Sequence, residues 1–165
     1  MSPVLDIKNL SKNFGSIEIL KNINISIDEG DFLVLVGPSG CGKSTLLNCI
    51  AGLEPISDGG IAISGQDMTH VSPKDRNIAM VFQEPMSALN PVFTVGAQIT
   101  DALQTNLGMD ARSARDRCKE LMSLVGIPSP EQRIDSYVHE FSGGMRQRVM
   151  LAMALSCDPN LLIAD

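Results

Sequence analysis

The sequence has 165 residues, of which 44% are hydrophobic and 19% charged, and its formal net charge is −6. This length and composition are typical of one soluble globular domain, which buries roughly 70% of the surface of its unfolded chain. The negative charge argues against nucleic acid as the main partner, because nucleic-acid binding needs a basic surface.

The cysteines and the apolar runs indicate the compartment. The four cysteines show neither a CxxC pair nor zinc-type spacing, which predicts free thiols in a reducing cytosol: Cys41, Cys49, Cys118 and Cys157. The longest apolar runs are far shorter than the roughly 18 residues of a membrane span. Asp6 stands where a signal peptide needs a basic and then an apolar stretch. We therefore expect a cytoplasmic protein.

The first half of the chain predicts short strands around one helix. "VLDIKNL" and "INISID" alternate in hydrophobicity and are separated by turn residues around Gly15. "DFLVLVG" is an unbroken apolar run, which predicts a central strand covered on both faces. "KSTLLNCIAGL" predicts a helix with Leu46, Leu47 and Ile50 on one face. "GGIAISGQDM" predicts a small strand and turn, and "NIAMVFQ" a second buried strand.

The second half is mostly helical. "TVGAQITDALQTNLG" and "DARSARDRCKELMSLVGI" predict two helices, the second with Asp110 as its N-cap. Ser142 is predicted to cap a further helix, whose packing face would contain Met145, Met150 and Met153. This helix leads into a last strand, "NLLIAD". Strands that alternate with helices favour an α/β fold with a parallel sheet.

One motif predicts a nucleotide site. "GPSGCGKST", Gly37 to Thr45, matches the pattern G-x-x-x-x-G-K-[ST] and lies between a predicted strand and a predicted helix. Its glycines allow the backbone N–H groups to converge on phosphate oxygens, and the start of the helix adds a positive dipole. Lys43 is expected to bind the β- and γ-phosphates, and the Ser44 hydroxyl to ligate Mg²⁺. The motif favours nucleotide binding over a glycine turn with only a structural role.

A second anion-binding helix start is predicted in "EFSGGMRQR", where Ser142, Gly143 and Gly144 open a helix. Taken alone, this segment is more simply an N-cap with a flexible start. Together with the first motif, it resembles the signature segment of the ATP-binding subunits of ABC transporters. In that family the segment is usually leucine, serine, two glycines and glutamine. Here Phe141 stands in place of the leucine and Met145 in place of the glutamine.

Three more positions match the family in the correct order. Phe14 in "KNFG" matches the aromatic residue that stacks on adenine, with a core position in a small β-subdomain as the alternative. Gln83 in "VFQEP" matches the glutamine that contacts Mg²⁺ and the attacking water, with a strand-ending polar residue as the alternative. Asp165 in "LLIAD" matches the Walker B aspartate, a ligand of Mg²⁺ directly or through water.

The resemblance covers essentially all 165 residues and implies a site for ATP and Mg²⁺. Lys43 and Gln83 are the expected catalytic residues, and Ser44, Gln83 and Asp165 the expected metal ligands. Ser142, Gly143 and Gly144 are expected to bind the nucleotide of a second subunit. The remaining nucleotide-binding positions expected within one chain are Phe14, Gly37, Pro38, Ser39, Gly40, Cys41, Gly42 and Thr45. His70 and His139 precede the Walker B segment, whereas the family's switch histidine follows it, so we interpret both as surface or loop residues.

The resemblance also implies a fold and its parts. We expect a P-loop NTPase with a RecA-like core, a small antiparallel β-subdomain and a helical signature subdomain. The core and β-subdomain are predicted over residues 1–87 and 157–165, and the helical subdomain over residues 88–156. In the family, a catalytic glutamate, a further core strand and the switch histidine follow Walker B. We therefore expect this sequence to be the front part of a longer ATPase, lacking the C-terminal part of the core and turning over little ATP by itself.

The expected function is ATP hydrolysis that powers solute import, catalysed by an ATPase of the translocase class on the inner face of the cell membrane. "QEPMSALNPVFTVGAQI" is similar to the dipeptide, oligopeptide and nickel importers, whereas "SPKDRNIAMVFQ" is similar to the maltose type. Expected partners are a second ATP-binding subunit, identical or different, and transmembrane permease subunits that contact Pro85, Met86 and Asn90. The alternatives are a non-catalytic nucleotide-binding fragment and a soluble ABC-type ATPase of DNA repair or chromosome maintenance.

Overall fold

The computed structural model describes residues 3–81 and 88–164. They form two compact units, one up to Ile78 and one from Ala79 onward. Gln83, Pro85, Met86 and Asp165 lie outside the described residues, so their predicted roles stay predictions. The predicted boundaries of the helical subdomain stay a prediction as well.

The first unit is built on a four-stranded antiparallel sheet with the order β2-β1-β3-β4. Its strands are β1 (Leu5–Phe14), β2 (Ile17–Ile27), β3 (Asp58–Ile63) and β4 (Gln66–Asp67). Leu5, Ile7 and Leu10 of β1 are buried together with Ile61 and Ile63 of β3. The alternating segments are therefore strands, as predicted. This sheet is the small antiparallel β-subdomain.

Helix α1 (Lys43–Ala51) follows the glycine-rich motif, where the sequence predicts it. Leu46 and Ile50 are buried, as is Cys49, whereas Leu47 is only half-buried. The helix ends at Gly52, whose φ of 78° is left-handed and suits a residue without a side chain.

The C-terminal end of α1 is held by a buried arginine. Arg76 follows a short 3₁₀ turn (Pro73–Asp75), and its side chain is 3% exposed. Its Nη1 atom donates to the carbonyl oxygens of Cys49 at 3.0 Å and Ile50 at 2.8 Å, and its Nε atom to that of Val71 at 2.9 Å. A cation at this end also interacts favourably with the helix dipole. Burial lowers the pKa of the Arg76 guanidinium from its ordinary value.

The prediction of a central strand from "DFLVLVG" is wrong for the described residues. Residues 31–37 have no strand conformation, and Phe32, Val34 and Val36 are 91%, 61% and 89% exposed. Neither sheet of the described residues includes this segment. The physical reason is that an apolar run becomes a strand only when a neighbouring strand bonds its backbone N–H and C=O groups.

The second unit contains a strand pair and a helical core. Strands β5 (Ile78–Val81) and β6 (Leu161–Ala164) bond to each other. The helices are α2 (Val95–Leu107), α3 (Ala111–Leu124), α4 (Pro130–Arg133) and α5 (Gly143–Leu155), with a 3₁₀ turn at Val138–Glu140. Their shared core includes Ile99, Leu121, Ile134, Phe141 and Val149. The strands and helices predicted here are confirmed within the described residues, except that only Ala79 of β5 is buried and its other three residues are half-buried.

The predicted helix caps are confirmed by their hydrogen bonds. Asp110 Oδ1 accepts from the N–H groups of Arg112 at 3.0 Å and Ser113 at 3.1 Å. The bonds from Ser113 hold the pKa of the Asp110 carboxyl below its ordinary value. Ser142 Oγ accepts from the N–H of Met145 at 3.4 Å. Met150 is buried in the helical core, and Met145 and Met153 pack against it, as the sequence predicts.

The four cysteines all lie within the described residues. All four cysteines are free thiols, and no cluster of three or more His, Cys, Asp or Glu side chains in residues 3–81 and 88–164 could hold a metal ion. Over the same ranges, no helix has the length and apolar character needed to cross a bilayer.

Replacing Arg76 by methionine should lower the free energy of unfolding by about 2–4 kcal/mol, because buried carbonyl groups at the end of α1 lose a charged donor. Denaturant unfolding followed by circular dichroism measures the change. The matched control is Arg112→Met at an exposed position of α3, which should change stability by less than about 0.5 kcal/mol. Equal effects of the two substitutions would contradict the role assigned to Arg76.

Candidate nucleotide-binding site

The loop before α1 depends on two glycines with left-handed backbone. Gly40 has a φ of 80° and Gly42 a φ of 94°. This conformation is strained for residues that carry a side chain. A Cβ atom on Gly42 would lie 2.9 Å from Leu20 Cδ2 and 3.2 Å from Ile19 Cγ2. The loop therefore packs directly on β2, which fixes the position where α1 begins.

The start of α1 has the features of an anion site. The N-cap, Gly42, has no side chain to bond the first N–H groups, and the first turn contains no acidic residue. The first helical hydrogen bond runs from the N–H of Leu46 to the carbonyl of Gly42 at 2.9 Å. The N–H groups before Leu46 thus belong to the helix end that carries partial positive charge and suits phosphate oxygens.

The Lys43 ammonium lies over the same loop. Its Nζ atom donates to the carbonyl oxygens of Gly37 at 2.8 Å and Pro38 at 2.7 Å, and is 3.5 Å from Cys41 Sγ. The oxygen acceptors are neutral carbonyl groups of the loop itself, so a phosphate group can replace them with a stronger charge-assisted bond. Ser44 is exposed beside Lys43, and Thr45 is half-buried.

Phe14 lies at the end of β1, where this strand turns into β2, and pairs with Ile17. Its side chain is 47% exposed, which argues against the alternative of a core phenylalanine. Lys12, on the same strand, places its Nζ atom 4.5 Å from the centre of the Phe14 ring. Lys12 pairs with Leu20 of β2, and the Leu20 side chain lies beside Gly42. The Phe14 ring therefore belongs to the same strand pair, β1 and β2, on which the glycine-rich loop packs.

The residues of the signature segment lie in the second unit. Phe141 is 2% exposed and anchors the segment in the helical core, while Ser142, Gly143 and Gly144 are exposed. Among residues 3–81 and 88–164, no heavy atom outside the local backbone lies within 4 Å of a Cβ atom placed on Gly143 or Gly144. The start of α5 therefore presents an open surface that a ligand can approach.

Asn90, a predicted partner contact, accepts through its side chain from the N–H of Val92 at 3.1 Å.

The two histidines are surface residues, as the sequence predicts. His70 and His139 are exposed, and the ring of His139 stacks on Tyr137 with the ring centres 5.7 Å apart.

Sequence reasoning missed Lys12 and Arg76. Both are charged residues whose side chains are buried, and a charged residue in a strand or loop is ordinarily read as exposed. One signal could have found Lys12, because residues two apart on a strand share a face and Lys12 precedes the predicted adenine-stacking Phe14 by two.

The family model described as ABC transporter matches residues 20–165 of the sequence. The chain belongs to the ABC transporter family. The resemblance drawn from its motifs is therefore confirmed.

Several curated relatives that this chain resembles are ATP-binding proteins of peptide transport. The dipeptide transport ATP-binding protein DppD of Bacillus subtilis is 41% identical over 100% of this chain and 54% of its own length. DppD of Haemophilus influenzae is 43% identical over 98% of this chain and 53% of its own length. The oligopeptide transport ATP-binding protein OppD of Bacillus subtilis is 41% identical. The chain spans about half the length of these relatives.

Solved structures share the fold. CbiO1 from Clostridium perfringens, part of the ABC transporter complex CbiONQ, matches with a TM-score of 0.88 and 27% identity, over 100% of this chain and 66% of CbiO1. A second solved ATP-binding cassette of an ABC transporter matches with a TM-score of 0.80 and 24% identity, over 98% of this chain and 68% of that chain. The predicted P-loop NTPase fold is confirmed.

The cysteines differ in their environments. Cys41 is exposed in the phosphate loop, whereas Cys49 and Cys118 are buried. Burial raises the pKa of the Cys118 thiol to about 11 and also raises that of Cys49. At pH 8 only about one Cys118 in a thousand is a thiolate, which is the reactive form.

N-ethylmaleimide at pH 8 should therefore modify Cys41 at least ten times faster than Cys49 or Cys118, as measured by peptide mass spectrometry of the native chain. Cys41→Ala should abolish the fast phase and leave the slow ones unchanged. Fast labelling of Cys118 in the folded chain would contradict the burial described here.

Proposed function

We propose that the chain binds ATP with Mg²⁺ as the nucleotide-binding part of an ABC importer subunit for peptides. The loop geometry is the main support: left-handed glycines, an uncapped helix start and a lysine ammonium converge within Gly37–Ser44. Three elements that each favour phosphate oxygens share one short segment, which suits the charged tail of a nucleoside triphosphate.

Each part of the nucleotide has candidate contacts. The β- and γ-phosphates would bind the loop N–H groups and the Lys43 ammonium, and the adenine ring would stack on the exposed Phe14. Ser44 would ligate Mg²⁺, together with Gln83 and Asp165. The metal would neutralise charge on the phosphates during hydrolysis.

The signature helix is proposed to act on the nucleotide of a second subunit. Ser142 and the two following glycines are exposed at the start of α5, and this helix end carries partial positive charge. It would thus supply a second set of phosphate contacts. An ATP molecule held between two subunits couples nucleotide binding to their association.

Peptide import is proposed from the relatives, whose names describe dipeptide and oligopeptide transport. The permease subunits would bind near Asn90, beside the residues after Gln83. Such a subunit would work on the inner face of the cell membrane, and ATP hydrolysis by the complete protein would drive transport.

Lys43→Ala should weaken ATP binding at least ten-fold, because about 1.5–3 kcal/mol of charge-assisted bonding is lost. Isothermal titration of the 165-residue chain with ATP and Mg²⁺ measures the change. Lys74→Ala is the matched control, since Lys74 is exposed in the 3₁₀ turn and should leave the affinity unchanged. Equal affinities of the wild-type and Lys43→Ala chains would reject the site.

A further inference from the structure

Lys12 is a buried lysine on β1, with only 6% of its surface exposed. A buried ammonium is costly unless several acceptors surround it. Its Nζ atom donates to the carbonyl oxygen of Pro55 at 2.7 Å and to Glu54 Oε2 at 3.1 Å. The Phe14 ring covers a further side, with its centre 4.5 Å from the same atom. The ammonium therefore has a defined position between a strand, a loop and a ring.

We propose that Lys12 is a positioning residue of the nucleotide site, which acts on the base of the nucleotide through Phe14. The proposal rests on the ATP-binding function proposed above. The Lys12 ammonium holds one face of the Phe14 ring, and the exposed part of the ring is left to stack on the base.

The first effect is mechanical. An exposed aromatic side chain at a strand end loses conformational freedom when a base stacks on it, and this loss weakens binding. Contact with the ammonium already restricts the ring before a base arrives. Lys12 cannot follow the ring outward, because Pro55 and Glu54 hold its ammonium from the other side.

The second effect is electrostatic. Each face of an aromatic ring is negative, and a cation over one face is attracted to it. The cation draws π electron density toward itself and away from the opposite face. A base that stacks on that opposite face then meets less repulsion from the ring electrons.

The loop that holds Lys12 also connects β1 to the C-terminal end of α1. Glu54 and Pro55 come directly after the C-terminal end of α1, the helix that starts at the phosphate loop. The same loop bonds β1 through its backbone, since the N–H of Ser57 donates to the carbonyl of Ser11 at 2.8 Å. Ser57 Oγ accepts from the N–H of Asn13 at 2.9 Å. Phe14 and α1 are thus joined through Lys12 and this loop.

The test compares two ligands, ATP and inorganic tripolyphosphate, in isothermal titrations of the full 165-residue chain. Tripolyphosphate contains the phosphate chain without a base. Lys12→Met should weaken ATP binding about five- to ten-fold and change tripolyphosphate binding less than about two-fold. Lys12→Arg keeps a cation and should retain ATP affinity within about three-fold.

Two further variants separate the mechanism from simple stability. Phe14→Leu should weaken ATP binding, and adding Lys12→Met to it should cause no further loss, because Lys12 acts through the ring. Lys8→Met, at an exposed position of the same strand, is the matched control and should leave ATP affinity within about two-fold. If Lys12→Met does not fold, Lys12→Gln replaces it, since the amide can still donate to Pro55 without a charge.

Equal weakening of ATP and tripolyphosphate by the Lys12 variants would overturn the proposal, because a general loosening of the site affects both ligands. Additive losses in the double variant would overturn it as well. If the wild-type chain binds neither ligand, the proposed nucleotide-binding function itself fails, which is a different result from a Lys12 variant that behaves as wild type.

Discussion

Helix α1 is fixed at both ends, and the candidate site depends on this constraint. At its start, Gly42 packs on β2 and has a left-handed backbone, which is strained for any residue with a side chain. At its end, Arg76 bonds the carbonyl groups of the last turn. A site that binds an anion through backbone N–H groups works only if these groups already point in the correct direction. Holding the helix at both ends provides this arrangement before any ligand binds.

Two buried cations in the first unit hold the C-terminal end of α1 and the loop that follows it. Arg76 contacts its last turn directly, and Lys12 contacts the loop that follows it. Both side chains donate to main-chain carbonyl oxygens, which any residue type offers. These contacts therefore depend on backbone geometry more than on the identity of the partner residue. Lys43, which is half-buried, has a different role, because its ammonium is placed to exchange loop carbonyls for phosphate oxygens.

The net charge of −6 does not oppose binding of a phosphate chain. Screening in physiological salt acts over about 8 Å, so the local charges at a site matter more than the total. The first turn of α1 contains no acidic residue, and the oxygen acceptors of Lys43 are neutral main-chain carbonyl groups. These local charges are compatible with the proposed nucleotide site in spite of the negative net charge.

Local sequence signals predicted the features that depend on neighbouring residues. The caps at Asp110 and Ser142, the phosphate loop and the alternating strands β1 and β2 each follow from interactions within a few residues. The apolar segment 31–37 was predicted wrongly, because hydrophobicity favours burial but a strand also requires a partner for its backbone.

The motif G-x-x-x-x-G-K-[ST] and membership of the ABC transporter family could be predicted from short contiguous segments of the sequence. Only the tertiary structure showed that Lys12 lies under Phe14 and that Arg76 closes α1. Lys12 and Glu54 are 42 residues apart, and Arg76 and Cys49 are 27 apart. Such contacts form only when the folded chain brings distant segments together. A buried charge is costly without hydrogen-bond partners, so each buried cation needs acceptors around it.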